Sequence, residues 1–187
     1  MATPATAAND NTQYDPVSKA AHWLTFALVA AQFAIGWMMP QIGRGTQPKG
    51  LIGVHLALGA SLLIVVTFRL LWRITHPAPA PLAFTPKWQR LLAGLTHFGL
   101  YALLVVMSLT GWASASAREW PVKAFGVIRL PTLLAPHAKI GFVLGDWHAD
   151  ILSWVLLCLI GAHVSAVLYH RFVKRDAVLQ RMLRSNH

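Results

Sequence analysis

Four long apolar runs, separated by short stretches rich in proline, glycine and polar residues, dominate the chain. They cover roughly Ala21–Met39, Leu51–Trp72, Leu91–Ser114 and Trp147–Tyr169, each close to the ~20 residues a helix needs to cross a hydrocarbon core. Lipid offers no partner for an exposed peptide group, so each run is predicted to be helical. The connections "PQIGRGTQPKG" and "THPAPAPLAFTPK" carry helix breakers, and a longer third connection runs from about Ala115 to Asp146. No internal repeat is convincing. The pattern predicts an all-α integral membrane protein, an up-down-up-down four-helix bundle. Residues 1–18 are expected to form a disordered polar tail, since "MATPATAANDNTQYDPVSK" lacks the basic-then-apolar order of a signal peptide. Residues 19–187 are expected to form one domain. At the other end, "RFVKRDAVLQRMLRSNH" sets apolar residues at helical spacing between cations, as an interfacial cytoplasmic helix would.

Composition agrees with the pattern. Of 187 residues 56% are hydrophobic and 12% charged, where a soluble domain carries about a quarter charged. The lone cysteine, Cys158, lies inside an apolar run, which excludes a disulfide framework and reads as packing. Sixteen Lys+Arg against 6 Asp+Glu give a formal charge of +10. These cations lie between apolar runs rather than on one patch, which fits membrane topology and anionic head groups and not nucleic-acid binding.

Counting by side orients the bundle. The amino-terminal tail, second connection and carboxy-terminal tail hold ten cations: Lys19, Arg69, Arg73, Lys87, Arg90, Arg171, Lys174, Arg175, Arg181 and Arg184. The first and third connections hold six: Arg44, Lys49, Arg118, Lys123, Arg129 and Lys139. The positive-inside rule therefore places both termini in the cytoplasm. The outer face is also basic, its six cations opposed by Glu119, Asp146 and Asp150.

Ionisable residues inside spans are functional candidates, because burying them is costly without a partner. His148 and His163 lie fifteen residues apart in the fourth run. An α-helix rises about 22 Å over that distance and ends about 60° from where it began. The two imidazoles therefore point to one side at opposite membrane faces, a spacing that suits two stacked cofactors rather than one metal ion. A haem iron takes axial ligands from above and below, so each histidine needs a partner on another helix. Depth supplies one: His22 opens the first span at the level of His163, and His55 lies near the start of the second at the level of His148. Gly59, one turn after His55, would let a flat group approach or a helix pack closely. Arg69, about 21 Å along the helix from His55, would reach a propionate or quinone at the inner level, or extend to the interface. His97 opens the third span at that level, facing an inner haem edge or a quinone. His170, seven residues past His163, is expected among head groups, and His76, His137 and His187 read as loop or tail residues.

The segments "AAHWLTFALVA", "LIGVHLALGASLLIVVTFRLLWR", "LTHFGLYALLVVMSLTGW" and "DWHADILSWVLLCLIGAHVSAVLYHRFVKRDAVLQRM" resemble the bacterial cytochrome b561 family over about residues 15–185. The likeness is to its small, free-standing members, proteins of the bacterial inner membrane. It implies two non-covalent b-type haems, with the ligand positions falling on His22, His55, His148 and His163. It also implies oxidation of superoxide at the outer surface, with electrons passed to ubiquinone.

An iron with two histidine ligands has no open position, so such a site transfers electrons and binds no substrate at the metal. Two haems would store the two electrons that quinone reduction needs, and the outer cations would raise the local concentration of an anionic donor. Reversing charge at Lys123 or Arg129 is expected to slow reaction with superoxide. A second reading is a haem subunit that docks to a respiratory enzyme such as a hydrogenase and relays its electrons to quinone. A third, a transporter or structural membrane protein, would carry no haem. No CxxCH is present, so any haem is expected to be held without a covalent bond.

Overall fold

A computed structural model describes residues 13–43, 45–82 and 85–183. Most of the polar tail, Arg44, Arg184 and His187 lie outside the described residues. Among the described residues four helices are long and apolar enough to cross a membrane: α1 Pro16–Met38, α2 Leu51–Thr75, α3 Lys87–Ala117 and α4 Lys139–Lys174. They run up and down as the apolar pattern requires. α1 packs on α2, α2 on α3 and α3 on α4. One end of the bundle carries both termini and the second connection (the near end). The other carries the first and third connections (the far end).

Local chemistry sets the helix ends. Asp15 caps α1, accepting from the Ser18 amide at 2.9 Å and from its hydroxyl at 2.6 Å, with Pro16 in the first helical position. The same carboxylate accepts from Trp72 Nε1 of α2 at 3.2 Å, tying two helices together at the near end. Burial alone would raise the Asp15 carboxyl, but the hydrogen bonds from Ser18 and Trp72 outweigh it and hold the group below its ordinary value. The helix therefore starts at Pro16 and includes Lys19, five residues ahead of the first apolar run.

The largest departure from the apolar pattern lies at the far end. The fourth helix was expected to begin at Trp147; it begins at Lys139 and runs unbroken for 36 residues. The reason is steric. On α4, Gly141 and Gly145 face Ala113, Ser114 and Ala117 of α3, where an added Cβ at Gly141 would meet Ala117 Cβ and one at Gly145 would meet Ser114 Oγ. Small residues one turn apart on both helices let the backbones close up, so the first two turns of α4 are held on α3. Between α3 and α4 the chain forms a two-stranded antiparallel hairpin, β1 Lys123–Ala124 and β2 Ile128–Arg129. Val122 and Ala124 bury against Ala60 and Ala115, and Phe125 N donates to Ser61 Oγ of α2 at 2.7 Å.

At the near end the described part of the carboxy-terminal segment includes a short helix, α5 Gln180–Leu183. Arg175 adopts the left-handed conformation after α4 and breaks the helical run. Asp176 then turns back onto His170, with Oδ2 and Nδ1 2.6 Å apart. His170, expected among head groups, is thus paired and half-buried. Trp23 Nε1 donates to Met182 O at 3.3 Å and Tyr14 N to Arg181 O at 3.4 Å, which seats α5 beneath α1.

Candidate functional site

The helices pack as sequence neighbours, but the histidines do not pair that way. His22 of α1 faces His163 of α4, with ring centroids 6.4 Å apart. His55 of α2 faces His148 of α4, with centroids 6.0 Å apart. Neither α1 with α4 nor α2 with α4 forms one of the bundle's main packing contacts. Each pair therefore bridges helices that leave space between them. His97 of α3 adds a third ring at the near end, 5.2 Å from His163.

At the far end a cavity of about 170 Å³ is lined by Val29, Phe33, Gly36, His55, Leu104, Gly111, His148 and Leu156, almost all apolar. His148 Nδ1 donates to the Met107 carbonyl at 2.9 Å. A carbonyl can only accept, so the proton is on Nδ1 and the Nε2 lone pair faces the cavity. Gly111 gives the ring room: a Cβ there would lie 3.1 Å from His148 Cε1, so the imidazole would have to shift slightly. His148 also sits in a π-turn, Trp147–Leu152, within α4. Such turns interrupt the regular α-register and recur at functional sites, so the rotation between His148 and His163 is not that of a uniform α-helix. His55 Nδ1 is buried and has no hydrogen-bond partner. Gln32, a lone amide in the apolar run of α1, donates to the His55 carbonyl at 3.1 Å, while its own Oε1 is buried without a partner. Gly59 leaves room for that amide, since a Cβ there would lie 2.8 Å from Gln32 Nε2.

The near-end cavity, about 280 Å³, is the more polar of the two: Tyr14, Ser18, His22, Arg69, Arg73, His97 and Tyr101 line it, with Trp72 and Met182. Arg69 does not extend to the interface. Its Nη2 donates to His22 Nδ1 at 3.3 Å and its guanidinium lies over the Tyr101 ring, 5.2 Å from the centroid. His97 Nδ1 donates to the Ala93 carbonyl at 2.7 Å, which leaves its Nε2 as the acceptor. Arg73 lies over the Tyr14 ring. Sequence reasoning missed Gln32, Gly36, Tyr101 and Gly111. Of these, Gln32 carried a readable signal, a polar side chain in the middle of a span.

These residues fit haem better than a bare ion. Among the described residues no three His, Cys, Asp or Glu side chains are placed to hold a metal ion together, whereas an ion held by protein alone needs three or four. Facing pairs suit a metal whose other positions are filled by a macrocycle. Metal–imidazole bonds of about 2 Å on each side, plus half of each ring, add up to roughly 6 Å between centroids. Both separations, 6.0 and 6.4 Å, agree.

Comparison with known proteins points the same way. The sequence model for the prokaryotic cytochrome b561 family matches residues 13–185. Cytochrome b561 homolog 2 of Escherichia coli K12 is 31% identical over 176 residues, covering 94% of this chain and 93% of that protein. Cytochrome b561 homolog 1 of the same strain is 27% identical over 172 residues, covering 87% and 92%. A probable superoxide oxidase, CybB, of Yersinia pestis is 29% identical over 174 residues, covering 87% and 90%. With four membrane-length helices and a family match over nearly its whole length, this chain belongs to the prokaryotic cytochrome b561 family, whose members are membrane haem proteins of electron transfer.

Proposed function

We propose that the protein moves electrons from superoxide at the outer face of the bacterial inner membrane to ubiquinone, with two b-type haems held by His55 with His148 and His22 with His163. The observation that carries this reading is the pair of facing imidazoles at 6.0 and 6.4 Å, each spanning helices that do not otherwise pack closely. When bound, each haem supplies one-electron exchange between ferric and ferrous iron, with no open coordination position. Membership of a haem family sets aside the transporter reading.

The chain's own residues divide the remaining work. The Met107 carbonyl fixes the His148 tautomer and leaves the Nε2 lone pair free to ligate. At the near end His22 cannot ligate through Nε2 while Nδ1 accepts from Arg69, because a neutral imidazole has one lone pair to give. Were His22 to hold a haem through Nε2, Arg69 would have to release Nδ1, and its guanidinium would then be available to a carboxylate or a quinone oxygen. Both termini, and so the near end, are assigned to the cytoplasm by the excess of cations on that side. At the far end Lys49 and Lys139 are exposed, while Arg118 is engaged over the rings of Trp120 and Phe142. An exposed cationic rim raises the encounter rate of a small anion.

The test is stopped-flow reduction of the purified cytochrome by superoxide, followed by addition of a short-chain ubiquinone. Rapid haem reduction, then reoxidation with quinol formed at one per two electrons, is the expected outcome. Haem that superoxide leaves oxidised would shift the assignment to a relay subunit fed by another enzyme.

A further inference from the structure

The hairpin between α3 and α4 has a tip that its own fold does not explain. Phe125 takes a left-handed backbone conformation, φ 53°, next to Gly126 at φ 75°. Asparagine or glycine fits such a position, and a bulky residue there is a true outlier, of the kind that clusters at functional sites. Yet the Phe125 side chain is not packed inside: it is 54% exposed, with Val127 at 78% and Ile128 at 52%. The backbone around it is anchored, since Phe125 N donates to Ser61 Oγ and the flanking Ala124 is fully buried. A strained, well-anchored tip thus displays three apolar side chains.

Position and charge say what covers them. Ser61 lies ten residues into α2 from its far end at Leu51, a depth of about 15 Å along the helix. The tip therefore lies alongside the bundle rather than above it. Trp112 and Trp120 pack at the base of the hairpin, and Trp112 Nε1 donates to Pro131 O at 3.0 Å. The exposed Trp147 stands in the same layer, next to His148, whose ring lies against Gly111. Tryptophans gathered at one level mark the boundary between head groups and hydrocarbon. Lys123 and Arg129 are direct cross-strand partners in this hairpin and both are exposed. Like charges placed opposite each other repel, unless an anion lies between or above them.

We infer that the β1–β2 hairpin is a membrane anchor, with Phe125, Val127 and Ile128 in the outer leaflet and Lys123 and Arg129 on the phosphate of an anionic phospholipid. The anchor fixes the far end of α3 and the start of α4 at a set depth. It also divides the outer cations, leaving Lys49 and Lys139 for soluble anions. This assignment is independent of the electron donor.

The experiment places a nitroxide at Val127→Cys in a Cys158→Ser background, with haem content confirming the fold. Its accessibility to oxygen and to a water-soluble nickel chelate is read in vesicles of phosphatidylglycerol and of phosphatidylcholine. In phosphatidylglycerol, oxygen access is expected to exceed nickel access at least threefold. The ratio should fall at least twofold in phosphatidylcholine, and likewise in a Lys123→Gln, Arg129→Gln variant. Equal or greater nickel access would place the tip in water, free for a soluble partner, and overturn the anchor. A ratio indifferent to lipid charge and to the cations would overturn the phosphate contact. Phe125→Asn supplies a second arm: its thermal midpoint in detergent should not fall, because asparagine accepts this backbone, while the oxygen-to-nickel ratio drops. A lowered midpoint with an unchanged ratio would make Phe125 a packing residue and contradict the inference.

Discussion

The two histidine pairs share α4 and nearly the same ring separation, yet their surroundings are opposite in character. The far pair faces a small apolar cavity in which one imidazole is oriented by a backbone carbonyl. Of the near pair, His22 lines a larger and more polar cavity, together with two arginines, two tyrosines and His97. An apolar site with one ligand held by a backbone carbonyl suits an electron carrier that must not exchange protons or bind substrate. A polar site with guanidinium and imidazole donors suits a group that carries negative charge or takes up protons, such as a propionate or a quinone being reduced. Similar ligand sets therefore need not imply similar roles. What surrounds the pair decides what else can happen there.

The largest expected effect comes from closing the space that lets His148 turn. Gly111→Leu would drive a branched side chain into the imidazole ring, whose Cε1 is already 3.1 Å from the Cβ position. Overpacking of this kind costs about 1–3 kcal/mol. The far-end haem should be lost, halving haem content by pyridine haemochrome assay, while the near-end component keeps its spectrum. Retention of both components would show that Met107 and Gly111 do not orient the ligand.

Arg69→Leu should act on the other site alone. Removing a half-buried cation next to His22 is expected to lower the midpoint potential of the near-end component, on the order of 50 mV, in redox titration. The far-end potential should stay fixed. Equal shifts at both components would mean the two environments are less separate than their linings indicate.

Smaller still is the effect of surface charge. Lys49→Glu with Lys139→Glu should slow haem reduction by superoxide several-fold at low ionic strength, with the difference closing near 0.5 M salt as the screening length drops to a few ångströms. Reduction by a neutral donor should not change. A rate insensitive to both substitutions and to salt would remove electrostatic attraction from the mechanism.

The smallest effect concerns the clamp beneath the near site. The Asp15 carboxyl is held below its ordinary value of 3.8. Its contribution to stability is therefore fully present above that value and is lost as pH falls through the lower folded value. Asp15→Ala should cost about 1 kcal/mol as a lost helix cap, seen as a lower thermal midpoint at pH 7. The gap between variant and parent should narrow on acidification below pH 4.

Much of this contrast was legible in the residues. Four apolar runs gave four helices, because a membrane leaves a lipid-facing backbone few alternatives. Depth alone brought His22 to His163 and His55 to His148, since up-down topology matches levels without knowledge of packing. Arg69 and His97 were placed at the near level on the same grounds, and both line its cavity. What depth cannot supply is azimuth: the π-turn at His148 depends on how α4 meets α3, and no local propensity announces it. The early start of α4 was readable in principle, because Gly141 and Gly145 form a small-residue pair one turn apart. Apolar-run counting ended there because the same glycines, with the neighbouring Asp146, interrupt the hydrophobic pattern. The hairpin was not readable, for its two-residue strands owe their form to contacts with Ala60 and Ser61 far away in the chain.

The pairing of ligands is tested most directly by spectra of four single variants, His22→Ala, His163→Ala, His55→Ala and His148→Ala, each purified and compared with a parent that should bind two haems per chain. His22→Ala and His163→Ala should give one and the same residual spectrum, that of the far site. His55→Ala and His148→Ala should give the other, and the two residual spectra should sum to the parent. A parent with one haem, or a His22→Ala spectrum matching that of His148→Ala, would contradict the account.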